Sequence, residues 1–192
     1  MKPYLTRKES IILSAIEVID ESGISDLSLR EISFRQGISE AALYRHFANK
    51  EEIILAVFDY YSKFDVSIMN TIKNNQDTTK QKITFFLRSL IELYEAHPAI
   101  TSLAFSYETL MKNDLVVQKV KEIFKSRSNF ITLLIEEGQA EGSVSSHFNS
   151  ENLSDTILGL ERTIILKWRM NKYNFDLKQR VLTALQSLLD LC

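Results

Sequence analysis

The sequence predicts an all-α protein, and three observations support that prediction. The 192 residues contain only five glycines and two prolines, so long stretches lack a residue that breaks helices. Apolar residues recur at intervals of three and four through most of the chain, which is the spacing of a buried helix face. No segment shows the two-residue alternation of a half-buried strand. We expect three short N-terminal helices that include a helix-turn-helix (residues 1–48), followed by longer helices (residues 49–192).

Composition places the chain among ordinary globular proteins. Hydrophobic residues make up 45% and charged residues 25% of its 22.2 kDa. No apolar run approaches the ~20 residues needed to cross a bilayer, and the first six residues lack the apolar stretch of a secretory signal. A single cysteine, Cys192, excludes an intrachain disulfide and agrees with a reducing compartment. These features predict a cytoplasmic protein.

The first helix is predicted from Thr6 to Ser22 and ends at Gly23. Its buried face is expected to contain five apolar residues: Ile11, Ile12, Ala15, Ile16 and Ile19. The second helix begins after Ser28, because Ser28 and Glu31 have the spacing of a capping box at a helix N-terminus.

A tight turn separates the second helix from the third. Gly37 ends the second helix, because glycine enters left-handed conformations without steric cost, and Ser39 can cap the third. The inward positions are predicted to be Ala42, Leu43 and Phe47. The outward positions are predicted to be Glu40, Ala41, Tyr44, Arg45 and His46. A short helix that leaves a tight turn with small and polar groups at its start suits the major groove of DNA.

The run SLREISFRQGISEAALYRHFANKEE, from Ser28 to Glu52, resembles the helix-turn-helix signature of TetR-family transcriptional regulators. Their usual form is close to Leu-Arg-Glu-Ile-Ala, Gly-Val-Ser and Leu-Tyr-x-His-Phe. The matching residues are Leu29, Arg30, Glu31, Ile32, Gly37, Ser39, Leu43, Tyr44, His46, Phe47 and Lys50. Within that family, SEAALYRHF is also similar to the SlmA-type nucleoid-occlusion factors.

The chain departs from the family pattern at three positions. Ser33 and Gln36 replace common alanines, and Glu40 stands where a lysine is frequent. The DNA sequence that other members bind therefore does not transfer to this chain.

The resemblance implies a sequence-specific transcriptional regulator, in the usual case a repressor that a small hydrophobic effector releases from DNA. Three residues are placed to meet base edges: Ser39, Glu40 and Ala41. A glutamate can accept a hydrogen bond from cytosine N4, and an alanine can touch a thymine methyl group. Glu40 has two alternative roles, which are to orient Arg45 or to cap the third helix.

Tyr44 and His46 are expected to donate hydrogen bonds to phosphate oxygens, as such residues do in the family. The alternatives are that Tyr44 packs and that His46 caps a neighbouring group. Further phosphate contacts are predicted for Ser28, Arg30, Arg45 and Lys50, through helix N–H groups or screened charge attraction. A solvated position is the alternative for Arg45 and Lys50.

The net charge gives no global signal for nucleic-acid binding. It is −2, with a pI of about 6.0, and seven basic residues balance seven acidic ones in the first fifty positions. DNA binding must therefore depend on where the cations lie. The cations and the histidine expected in or beside the DNA-facing surface are Arg30, Arg35, Arg45, His46 and Lys50.

Six further helices are predicted beyond the turn. Asn49 and Glu52 form a cap-like pair before a fourth helix that continues towards Ile72. The later helices are predicted at residues 80–96, 99–111, from 114 to near 140, 150–171 and 176–191. His97-Pro98 is a break, since the residue before a proline avoids helical backbone angles. The apolar face of the long helix from Asp114 is expected to include Val117 and Phe124.

The last two helices predict a homodimer. Their apolar bands consist of Leu153, Ile157, Leu160, Ile164 and Trp168 in one helix and of Val181, Leu182, Leu185, Leu188 and Leu189 in the other. Two such helices can pair with their copies in a four-helix interface, or they can close an intramolecular core, and both uses can share residues. A dimer implies a palindromic operator in double-stranded DNA, with half-sites roughly 34–36 Å or a multiple apart.

The resemblance implies an effector site among aromatic residues of the C-terminal helices. The candidate ligand-binding residues are Tyr94, Phe105, Tyr107, Glu108, Phe124 and Trp168. A mostly apolar cavity with a few polar groups suits a small hydrophobic molecule. The alternative is that these aromatic residues are plain core.

Enzymatic activity is not predicted, and neither a cofactor nor a metal is expected. The three histidines (His46, His97 and His147) lack metal-ligand spacing, and no nucleophile elbow or phosphate-binding loop occurs. The alternative function is a DNA-binding protein, associated with the nucleoid, whose C-terminal helices recruit a protein partner.

Overall fold

A computed structural model describes residues 5–106 and 114–192, and these residues form helices joined by short connections, without a strand. The helices are α1 (Arg7–Ser22), α2 (Leu29–Gln36), α3 (Glu40–Leu43), α4 (Lys50–Lys73), α5 (Thr79–Ala96), α6 (Thr101–Phe105), α7 (Asp114–Ala140), α8 (Ser150–Met170) and α9 (Leu177–Leu189), with a 3₁₀ turn at Pro98–Ile100 before α6. The prediction of an all-α chain is therefore confirmed.

The chain forms two compact units. The N-terminal unit comprises Met1–Lys63 and His97–Glu122, and the C-terminal unit comprises Phe64–Ala96 and Ile123–Cys192. The helices α4 and α7 each contribute residues to both units. The predicted division into a DNA-binding domain (residues 1–48) and an effector-binding and dimerisation domain (residues 49–192) stays a prediction.

In the N-terminal unit, α1 supplies much of the core. Its five predicted inward residues are all buried, and α1 packs against α2, α6 and the 3₁₀ turn. The helix begins with a complete capping box: the Thr6 hydroxyl accepts from the Glu9 amide at 3.2 Å, and the Glu9 carboxylate accepts from the Thr6 amide at 2.8 Å. The hydrogen bond from the Thr6 amide has the largest lowering effect on the pKa of Glu9, and the hydrogen bond from the Thr6 hydroxyl lowers this pKa further.

Most predicted helix ends agree with the structure to within one or two residues. Side chains of Asn149 and Asp176 cap α8 and α9, each accepting from an amide three residues later. The helix predicted at residues 99–111 instead starts as the 3₁₀ turn and continues as the short α6. Its predicted end, residues 107–111, lies outside the described residues.

In the C-terminal unit, α9 packs against α5 and α8. The start of α5 also approaches the end of α7 very closely. A Cβ atom on Gly138 would lie 2.8 Å from side-chain atoms of both Thr79 and Val144. Gly138 therefore permits this contact by having no side chain.

Not every apolar residue of the predicted helix faces is fully buried. Val117 is half-buried, Phe124 is 43% exposed, and Leu160 is half-buried. Two charged residues also lie on the inner faces, beside buried apolar residues such as Ile131 and Ile157: Arg127 in α7 and Glu161 in α8. The exposed ring of Phe124 lies 5.4 Å below the guanidinium group of Arg162, so a cation–π contact covers part of it.

Four polar residues, which we call the polar cluster, lie in the core of the C-terminal unit: Asp65, Tyr94, Arg127 and Glu161. Arg127 Nε and Nη2 donate to the two carboxylate oxygens of Asp65 at 2.7 and 2.8 Å, and Nη1 donates to the Tyr94 hydroxyl at 3.2 Å. A bidentate pair of this kind compensates part of the cost of burying two charges.

Glu161 is the fourth member of the polar cluster, and it is 5% exposed. Burial raises its pKa to about 7. The positive charges of Arg127 and Arg162 oppose that rise, and the negative charge of Asp65 adds to it. Among the residues that the structure describes, no group bonds to Glu161 Oε1.

Across the same described ranges, no helix has both the length and the apolar composition needed to cross a bilayer.

We predict that Glu161 makes the unfolding free energy fall as pH rises from about 4.5 to 7. The folded protein holds the Glu161 proton more tightly than the unfolded chain, so stability is lost as that proton leaves. The loss should approach about 3 kcal/mol, at ~1.4 kcal/mol per pKa unit. Urea titrations of Glu161→Met across pH 5–8 should lack this slope, whereas the exposed control Glu151→Met should retain it. Parallel profiles for all three proteins would contradict the assignment.

Candidate DNA-binding interface

The second helix starts as the sequence predicts. The Ser28 hydroxyl accepts from the Glu31 amide at 3.2 Å, which satisfies one free N–H group of α2. The Glu31 carboxylate accepts from Nε of Arg35, one turn further along, at 2.8 Å.

Arg35, one of the cations expected in or beside the DNA-facing surface, is paired with acids of two helices. Its guanidinium group bonds to both carboxylate oxygens of Glu21 and to Glu31, and it lies 3.6 Å from the carboxylate of Glu17. The hydrogen bond to Glu21 and then that to Glu31 raise the pKa of Arg35, and the bond to Arg35 lowers the pKa of Glu21. Arg35 therefore ties α2 to α1, and its charge is matched by acids.

The turn between α2 and α3 depends on a left-handed residue. Gly37 has φ 61° and ψ 35°, and its amide donates to Phe34 O at 3.1 Å. The Ser39 hydroxyl then accepts from the Ala42 amide at 3.1 Å and caps α3. Both predictions for this turn are confirmed.

The third helix is anchored by its inner face. Leu43 and Phe47 are 0% and 1% exposed, and Ala42 is half-buried. The Lys8 ammonium group lies 4.9 Å above the Phe47 ring, so α1 also contacts this anchor. Regular α3 spans only Glu40–Leu43, and turns continue to His46, whose amide donates to Leu43 O at 2.9 Å.

The outward residues of α3 and the following turns are solvent-exposed, as expected. Tyr44 is 49% exposed, and the other exposed residues of this segment are Ser39, Glu40, Ala41, Arg45 and His46. The structure thus gathers six of the nine proposed DNA-binding residues on one short segment of the chain.

The other three proposed DNA-binding residues flank that segment. Arg30 is exposed on the first turn of α2, beside the half-buried cap Ser28. Lys50 is half-buried at the start of α4, and its ammonium group donates to Ser25 O at 2.6 Å. An ammonium group has three donors, so this bond leaves Lys50 able to bind a phosphate.

The start of α4 is capped as predicted. Asn49 Oδ1 accepts from the Glu52 amide at 2.8 Å, and the Glu52 carboxylate accepts from the Ala48 amide at 2.5 Å. This exchange fixes the chain direction directly after the Tyr-x-His-Phe segment.

Two departures from the family pattern have different consequences inside the N-terminal unit. Gln36 Nε2 donates to Ser14 Oγ at 2.8 Å and to Ser10 O at 3.1 Å, so it joins α2 to α1. Ser33 is 3% exposed, and within residues 5–106 and 114–192 its hydroxyl finds no hydrogen-bond partner. The first departure adds a contact, and the second adds a desolvation cost.

Sequence reasoning did not single out Phe34. Its side chain is 80% exposed on α2, four residues after the exposed Arg30. The signal was available, because Phe34 lies off the stripe of Leu29 and Ile32. An aromatic ring at that position adds an apolar contact surface to the helix-turn-helix.

The six candidate ligand-binding residues do not share one environment. Tyr94 and Trp168 are buried in the C-terminal unit, where Trp168 Nε1 donates to Phe175 O at 3.0 Å. Phe124 is exposed in the same unit, and Phe105 is half-buried in the N-terminal unit. The remaining two, Tyr107 and Glu108, lie outside the described residues.

Two family models match the chain. "Bacterial regulatory proteins, tetR family" matches residues 11–57, which contain the helix-turn-helix, and "YsiA-like protein, C-terminal region" matches residues 61–190. The chain belongs to the TetR family. It is a DNA-binding transcriptional regulator, as the sequence predicts. The TetR-family members it resembles are regulators and not enzymes.

The relatives of this TetR-family protein include a metabolic regulator and a nucleoid occlusion factor. The chain is 24% identical over 177 residues to the fatty acid metabolism regulator protein of Bacillus subtilis (strain 168), covering 92% of this chain and 91% of that protein. It is 21% identical over 156 residues to the nucleoid occlusion factor SlmA of Vibrio cholerae serotype O1, covering 81% of this chain and 80% of that protein.

The fold also matches solved TetR regulators. The crystal structure of the transcriptional regulator FadR from Bacillus subtilis in complex with stearoyl-CoA has a TM-score of 0.78 and 24% identity, and the match covers 95% of each chain. The described residues contain no group of histidine, cysteine, aspartate and glutamate side chains that could hold a metal ion.

We predict that Gly37→Ala lowers the unfolding free energy of this TetR-family protein by about 1–2 kcal/mol. No atom lies within 4 Å of the new Cβ, so the cost is that of a left-handed alanine alone. The matched control Gly159→Ala, on the exposed side of α8, should raise stability by roughly 0.5–1 kcal/mol. Urea denaturation followed by circular dichroism measures both. A neutral Gly37→Ala would mean that the turn tolerates another backbone conformation.

Proposed function

We propose that the chain binds a palindromic operator as a homodimer, inserts α3 into the major groove and represses transcription. The observation that supports this proposal most directly is that the segment from Ser39 to Phe47 has one buried face and one exposed face. Leu43 and Phe47 anchor it in the N-terminal unit, and within this segment every side chain predicted to meet DNA is exposed. We place this activity in the cytoplasm, on nucleoid DNA.

Base edges meet the first turn of α3 in this proposal. The Ser39 hydroxyl oxygen accepts from the Ala42 amide and so caps α3. The hydroxyl proton remains available to donate to an acceptor on a base. Glu40 accepts from a cytosine N4 group, and Ala41 contacts a thymine methyl group. The Glu40 carboxylate also repels phosphates, so this side chain is placed more favourably over the bases than beside the DNA backbone.

Phosphates meet the residues around that turn. Tyr44 and His46 donate hydrogen bonds, and Arg45 and Lys50 add charge attraction that salt screens. The start of α2 provides a further phosphate contact, through Arg30 and the N–H groups beside Ser28. The exposure of Tyr44 and His46 supports these roles over packing.

Replacing Tyr44 and His46 with alanine should weaken operator binding ten-fold or more without lowering the melting temperature. Both side chains are exposed, so their loss removes hydrogen bonds to phosphate and leaves the core intact. Fluorescence anisotropy with labelled operator measures the affinity. The control Lys121→Ala removes an exposed cation from α7 and should bind as the wild type does. Unchanged affinity of the double variant would remove the assigned role.

The same assay separates base reading from charge at position 40. If Glu40 reads a base, Glu40→Lys should change which operator sequence is preferred. A uniform gain in affinity across all operators would instead assign Glu40 an electrostatic effect alone.

A homodimer through α8 and α9 fits the exposure of their outer faces. The inner faces are occupied within the C-terminal unit, where Ile157 and Val181 are fully buried. The side of α8 away from that core retains exposed Leu166 and Met170, at 42% and 74% exposure. A second copy would cover such residues, and two-fold symmetry would then set the operator palindrome.

We further propose that a long-chain acyl thioester is the effector. The relatives support this class, since one is named for fatty acid metabolism and a solved FadR contains stearoyl-CoA. Release follows if the effector favours a state in which the two α3 helices no longer match the half-sites. The C-terminal unit would hold the apolar chain.

Stearoyl-CoA should weaken operator binding by roughly 5–150-fold, which corresponds to a coupling of about 1–3 kcal/mol. Anisotropy at fixed operator concentration measures this, with coenzyme A alone as the control for its phosphates. Full retention of DNA at saturating stearoyl-CoA would exclude this effector.

Recruitment of a protein partner is the second candidate, supported by the relation to SlmA. Genome-wide recovery of bound fragments separates the two functions. One promoter favours local control, and sites scattered over the chromosome favour nucleoid occlusion.

A further inference from the structure

The polar cluster interrupts an otherwise apolar core at positions supplied by four helices. Asp65 lies on α4, Tyr94 on α5, Arg127 on α7 and Glu161 on α8, and none is more than 9% exposed. Burying three ionisable groups in one core destabilises a fold unless they are compensated. Such a group is a candidate functional site when its hydrogen-bonding capacity is unused.

Compensation within the polar cluster is unequal. Both carboxylate oxygens of Asp65 bond to Arg127, and the Tyr94 hydroxyl bonds to the same guanidinium group. Glu161 Oε1, by contrast, accepts no hydrogen bond from any described residue. One buried acceptor therefore remains unused beside a saturated ion pair.

We propose that Glu161 is the polar recognition point of a ligand site in the C-terminal unit. Its Oε1 accepts a hydrogen bond from a neutral donor, a hydroxyl or an amide N–H, of a molecule that is otherwise apolar. This inference rests on the proposed function, because it assigns a contact to the effector of that same unit.

The surrounding charges favour a neutral donor. Arg127 and Arg162 act on Glu161 with positive charge, so a cationic ligand group would be repelled by both. Asp65, whose negative charge acts at the same place, would repel a carboxylate. A fatty acid anion is therefore a poor ligand at this point, whereas an acyl thioester of coenzyme A carries secondary amides in its thiol arm.

The polar cluster also connects the site to α4. Arg127 acts electrostatically on Glu161 and holds Asp65, which lies on the helix that starts directly after the Tyr-x-His-Phe segment. A donor bound at Glu161 changes how strongly Arg127 is shared between the two carboxylates. That change reaches a helix belonging to both units.

The first test compares three variants in operator release by stearoyl-CoA. Glu161→Met removes the acceptor, keeps the side-chain length and should fold, because it replaces an unpaired buried carboxylate with an apolar group. It should raise the half-release concentration ten-fold or more, measured against each variant's own operator affinity without effector. Glu161→Gln keeps an acceptor oxygen and should show a smaller rise, and the exposed control Glu151→Met should match the wild type. A wild-type response in Glu161→Met would overturn the proposal and leave the proposed function standing.

The second test needs no operator. Melting temperatures are measured with 1-decanol, which has a hydroxyl donor, and with decyl methyl ether, which has none. The alcohol should stabilise the wild type more than the ether does, and this difference should vanish in Glu161→Met. If stearoyl-CoA releases no DNA from any variant, the proposed effector falls, and the alcohol–ether difference still decides the role of Glu161. Equal shifts in the wild type would overturn it.

Discussion

The left-handed backbone at Gly37 is the constraint on which the interface depends. A helix of four residues has no stability of its own, because its single turn costs more conformational entropy than its hydrogen bonds return. The position of α3 is therefore determined from outside. Gly37 sets its direction, the Ser39 cap sets its first residue, and burial of Leu43 and Phe47 sets its rotation. These three features therefore determine where the exposed side chains of α3 lie.

The C-terminal unit follows a different principle. Its core contains a saturated ion pair and one unused acceptor, where apolar packing would give greater stability. An arrangement of this kind is expected where a helix must change partners when a ligand binds. Asp65 is part of α4, so the proposed effector contact at Glu161 would act beside the helix that follows the Tyr-x-His-Phe segment.

The sequence was sufficient for the helices and for the helix-turn-helix, because local signals determine both. Caps such as Ser39 and Asp176, the αL glycine and the His97-Pro98 break act within a few residues. Periodicity located most of the buried face of α8, but it did not predict the burial of a charged residue, Glu161, on that face. Only tertiary pairing explains that choice. The ion pairs of Arg35 could not be predicted from the sequence either, because Glu17 and Glu21 lie on another helix.

The insertion of α3 into the major groove is tested most directly by disulfide cross-linking. A Cys192→Ser protein carrying Ala41→Cys is mixed with operator that bears a thiol tethered to a base in either groove. We predict cross-links to major-groove thiols in both half-sites, and none from the exposed control Thr156→Cys. Cross-links confined to the minor groove, or equal yields from both positions, would contradict it.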